Sequence, residues 1–101
     1  MDQEQSVRVL LDETASTEER IQAIGELENS DSPKVLAALL SVAEDEAAPE
    51  TVAREVGQVI AQILLRGNRI YDVSFADFSG PAYLAFDQTV AQMQEQLRTG
   101  E

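Results

Sequence analysis

The apolar residues of this chain recur with a helical period, and almost nowhere with the period of a strand. From Pro33 to Leu64 the pattern is nearly continuous: Val35, Leu36, Leu39, Leu40, Val42 and Ala43, then Val52, Ala53, Val56, Gly57, Val59, Ile60, Ile63 and Leu64. Residues spaced three and four apart line one face of an α-helix, whereas a half-buried strand needs strict alternation. The one alternating stretch, Arg69 to Phe75, is too polar and isolated to build a sheet. The expected fold is therefore all-α: five or six helices in antiparallel hairpins, forming one domain over residues 1–101.

Cap signals divide the chain. A short first helix over about Gln3 to Asp12 carries Val7, Leu10 and Leu11 on one face. Ser16 with Glu19 is a capping box and opens a second helix to about Glu28, with Ile21, Ile24 and Leu27 buried and Ala23 and Gly25 admitting a close neighbour. Ser32 then caps a third helix that starts with Pro33 and ends near Ala43. Glu44-Asp45-Glu46-Ala47-Ala48 is a loop, and Pro49 opens the fourth helix. That helix is expected to stop at a left-handed Gly67, with Arg66 complementing its negative end. Asn68 to Ser79 reads as an irregular strap or a short helix from Ser74. The last helix runs from Pro81, at its first position, to about Leu97, with a stripe of Tyr83, Phe86, Val90, Met93 and Leu97.

Composition then excludes much chemistry. The chain has no cysteine, no histidine and no tryptophan. Disulfides, Cys/His zinc sites and histidine-dependent nucleophilic catalysis are out of reach. Neither a phosphate-cradling Gly-rich loop nor a spaced Ca²⁺ loop is present, so no cofactor, no metal and no enzymatic activity are expected. The net charge is −12, with 19 acidic and 7 basic residues. Such a balance disfavours direct contact with nucleic acid phosphates. The acidic, polar start lacks the pattern of a leader, and no apolar run approaches the roughly 20 residues of a membrane span. A cytoplasmic protein is the expectation.

Two features point to a partner. Residues 1–50 carry a net −10 and residues 51–101 only −2. The densest acidic material is Glu44-Asp45-Glu46, together with Asp12-Glu13. All five aromatics lie between Tyr71 and Phe86, interleaved with Asp72, Asp77 and Asp87. Phe75, Phe78 and Phe86 are expected to seal the last helix onto the rest, leaving Tyr71 and Tyr83 partly exposed as anchors. The candidate partner-binding residues are Glu44, Asp45, Glu46, Tyr71, Asp72, Asp77, Tyr83 and Asp87.

The run Arg20-Ile21-x-Ala23-Ile24-x-x-Leu27, a turn, Ser32-Pro33, then Val35-Leu36-x-x-Leu39-Leu40 resembles a HEAT or armadillo-like repeat, and Pro49 to Gly57 resembles the opening of the next unit. The resemblance spans about residues 17–66. It implies a short right-handed superhelix closed by capping helices, the aromatic cap covering 68–98, and a protein-binding role. More loosely, the chain resembles small acidic bacterial immunity proteins, which block a cognate toxin. The expected function is a non-enzymatic module that neutralises or regulates a basic protein, such as a toxin or nuclease domain, and acts as a monomer. The alternative is a structural or accessory subunit of an assembly.

Overall fold

The structure, a computed structural model, describes residues 3–30, 32–67 and 76–99, with side chains to residue 95. It contains five helices: α1 (Gln3–Leu11), α2 (Thr17–Leu27), α3 (Pro33–Ala43), α4 (Glu50–Arg66) and α5 (Gly80–Thr99). No strand occurs among the described residues. The fold is all-α, as the apolar period requires.

The cap residues behave in several ways. Ser16 and Glu19 form the full reciprocal box, each side chain accepting from the other's backbone N–H at 3.1 Å. Ser32 holds an extended backbone before Pro33 but makes no side-chain cap bond. Pro49 is the N-cap of α4, one residue outside the helix, and its carbonyl accepts from the Ala53 N–H at 2.9 Å. Gly80, not Pro81, is the first residue of α5, because the Ser79 carbonyl accepts the first intrahelical bond, from Tyr83. Gly67 departs from the expected left-handed cap. Its φ is −89° and its N–H still donates to the Ile63 carbonyl, so α4 ends in right-handed backbone that any residue adopts.

One apolar cluster joins the helices. Leu10 of α1, Ile24 and Leu27 of α2, and Val35 and Leu39 of α3 meet Val52, Val56, Ile60 and Leu64 of α4. Helix α4 is the centre: it packs against α2, α3 and, most extensively, α5, while α1 lies on α2 and α3. Phe78 and Phe86 seal α5 onto this cluster, edge to face with centroids 5.6 Å apart. The spacing of α1 puts Leu11 inside with Leu10, yet Leu11 is exposed. Ser6 is buried instead, and its hydroxyl donates to Glu26 at 2.8 Å.

Close approach of helices occurs at a different glycine from the one expected. Nothing lies within 4 Å of a Cβ built on Gly25, which is exposed. At Gly57 the same Cβ would strike the Ala82 carbonyl oxygen, with the Ala82 Cα only 3.2 Å away. Ala53, Gly57 and Ala61 recur every fourth residue and are all buried, a strip of minimal side chains along α4.

Candidate functional site

Three connections carry the acidic candidates. The turn from α1 to α2 is built on Asp12: its carboxylate accepts from the Thr14 hydroxyl at 2.6 Å and from the Thr14 N–H at 2.9 Å. These bonds, the hydroxyl's first, hold the Asp12 pKa below its ordinary 3.8. The turn from α3 to α4 repeats the device at Asp45, whose carboxylate accepts from the Ala47 N–H at 2.9 Å while its carbonyl accepts from Ala48. Asp45 is thereby half-buried, with Glu44 and Glu46 exposed on either side.

These two turns lie at one end of the helices and line a common hollow of about 260 Å³, which includes Glu13, Asp45 and Pro49. Arg20 also lines that hollow, and its charge helps to hold the Asp12 pKa down. It is buried, and its Nε–H donates to the Leu10 carbonyl at 3.0 Å, closing the end of α1. Arg66 likewise caps a neighbour: its guanidinium donates to the Glu28 carbonyl at the end of α2.

The third connection joins by a backbone bond. The Ser79 N–H donates to the Ala43 carbonyl at 2.8 Å, so the start of α5 is fastened to the last residue of α3. The carboxylates of Glu44, Asp45 and Glu46 follow that residue immediately, and exposed Asp77 precedes the bond by two residues. The acidic turn and the end of the aromatic strap, far apart in the chain, are thus brought together. Further along α5, Tyr83 and Asp87 stand one turn apart on exposed surface, with Leu84 beside them; Tyr83 is 41% and Leu84 60% exposed. Tyr83, at the edge of the apolar stripe, is thus partly exposed, as expected. Leu84 is an exposed apolar residue that the periodic pattern passed over. Tyr71, Asp72 and Phe75 lie outside the described residues, as do the rest of 68–75 and the side chain of Leu97.

No group of three or more carboxylates is placed to hold a metal ion among the described residues. No helix among them is long and apolar enough to cross a membrane. Compared with protein families, curated proteins and solved structures, the chain matches none.

Proposed function

We propose that the protein is a non-enzymatic binding module whose acidic end receives a basic partner protein. The observation that carries this reading is the Ser79–Ala43 backbone bond, which sets Asp77 beside the Glu44-Asp45-Glu46 turn, itself sharing a hollow with Glu13. A fixed concentration of carboxylates raises the local density of a cationic partner and speeds its encounter. The two turns that present them are locked by Asp12 and Asp45, so little ordering is left to the moment of binding. Tyr83 and Leu84 supply apolar contact of the kind that sets dissociation. The resemblance of residues 17–66 to HEAT or armadillo-like units points the same way, and the sharpest version of the role is neutralisation of a basic toxin or nuclease domain in the cytoplasm.

Affinity capture on the immobilised protein tests the reading, run in parallel with an E44Q/D45N/E46Q variant. In that variant the side-chain carbonyl at position 45 still accepts from the Ala47 N–H, so the turn survives while three charges go. The expected result is a basic protein retained at low salt by the wild type and lost from the variant. Equal retention by both chains contradicts the proposal.

A further inference from the structure

We infer that the groove between α4 and α5 binds an extended polypeptide segment through its main-chain amides. Two adjoining hollows, of about 370 and 680 Å³, share Gln58, Thr89 and Gln92 and so form one continuous groove. Gln62 and Gln88 extend its amide lining, and Thr51 adds a hydroxyl. Each glutamine offers two N–H donors and one carbonyl acceptor, the complement of a peptide unit.

Spacing supports that ligand. Gln58 and Gln62 stand one turn apart on α4, and Gln88 and Gln92 one turn apart on α5, about 6 Å along each axis. An extended chain presents like-facing peptide groups every two residues, about 6.6 Å. Successive glutamines therefore keep step with successive main-chain groups on one edge of the ligand. From Thr51 to Arg66 the groove follows about 22 Å of helix, room for about six or seven extended residues.

Charge and shape narrow the class. Arg54 with Glu55, and Arg66 with Glu28, leave the groove neutral in a protein of net charge −12. A polyphosphate would meet no net attraction there. No aromatic ring lines the groove among the described residues, so it lacks the stacking platform that sugars and bases use. Recognition of the main chain is tolerant of ligand sequence. It does not depend on the acidic end.

The test is a titration of the whole protein with a neutral, blocked octapeptide of alternating alanine and threonine, followed by NMR. The expected result is movement of the side-chain amide signals of Gln58, Gln62, Gln88 and Gln92 at millimolar peptide. A Q58A/Q92A variant should bind about tenfold more weakly. The same peptide N-methylated at every alanine, and separately at every threonine, keeps its side chains but loses one set of main-chain donors. At least one of the two should fail to bind. Absence of shifts with the parent peptide, shifts on another surface, or full binding by both methylated peptides would overturn the inference. The N-methylation comparison decides even if the double variant proves unstable.

Discussion

A Cβ placed on Gly57 overlaps the carbonyl oxygen of Ala82, so α4 and α5 can lie this close only while position 57 has no side chain. On helix propensity alone, Gly57→Ala should stabilise by about 1 kcal/mol. Here the obstacle is backbone, which cannot rotate away, and the helices must separate. The variant should lose about 2 kcal/mol or more of stability, typical of an overpacked core. Gly25→Ala, in open space on α2, should gain about 0.5–1 kcal/mol. Urea unfolding of the two variants checks both signs.

Arg20 holds the Leu10 carbonyl in a buried, charge-assisted bond. Replacing it with methionine keeps much of the apolar stem but orphans that carbonyl. The expected loss is about 1.5–3 kcal/mol, read from the denaturation midpoint. Rescue by lysine should be incomplete, because an ammonium cannot reproduce the in-plane Nε–H.

Ser79 presents the opposite case. Its hydroxyl is buried with no hydrogen-bond partner among the described residues, although its backbone groups are both engaged. Ser79→Ala should therefore leave stability unchanged or raise it slightly, since an unsatisfied buried hydroxyl costs more than a methyl group. A loss of more than about 1 kcal/mol in thermal unfolding would show that the hydroxyl is bonded.

Asp12 titrates below its ordinary value because the Thr14 bonds favour its charged form. A carboxyl whose folded pKa is depressed adds stability above its unfolded pKa and loses it as pH falls through the folded one. The contribution is thus whole at neutral pH and declines below about pH 4. Asp12→Asn should flatten the acid limb of a stability–pH curve. An unchanged limb would mean that the Thr14 bonds do not form in solution.

The helices were legible in the sequence where their signals are local. Ser16 and Glu19 are three residues apart, and their box formed as the spacing requires. Gly25 and Gly57 show the limit. Both lie within amphipathic helices, and only the direction each faces decides which one meets a neighbour. The recurrence Ala53, Gly57, Ala61 was the available clue to the second. Gly67 misled because glycine permits left-handed backbone without demanding it. At the site, the acidic turn is contiguous in the chain and could be read directly. Its junction with Ser79 rests on one tertiary bond and could not. The paired glutamines of α4 and α5 were visible as spacings, but that they face one groove is a product of helix packing.

The acidic end is most directly tested by the rate at which the captured basic partner associates, measured across a salt series. Charges steer over about 8–10 Å at ordinary ionic strength, and added salt shortens that reach. The account predicts an on-rate that falls steeply with salt for the wild type and less steeply for E44Q/D45N/E46Q. Tyr83→Ala should instead quicken dissociation and leave the on-rate nearly unchanged. An on-rate that stays flat from low to high salt would contradict the account, leaving the carboxylates of the two turns as solvated surface.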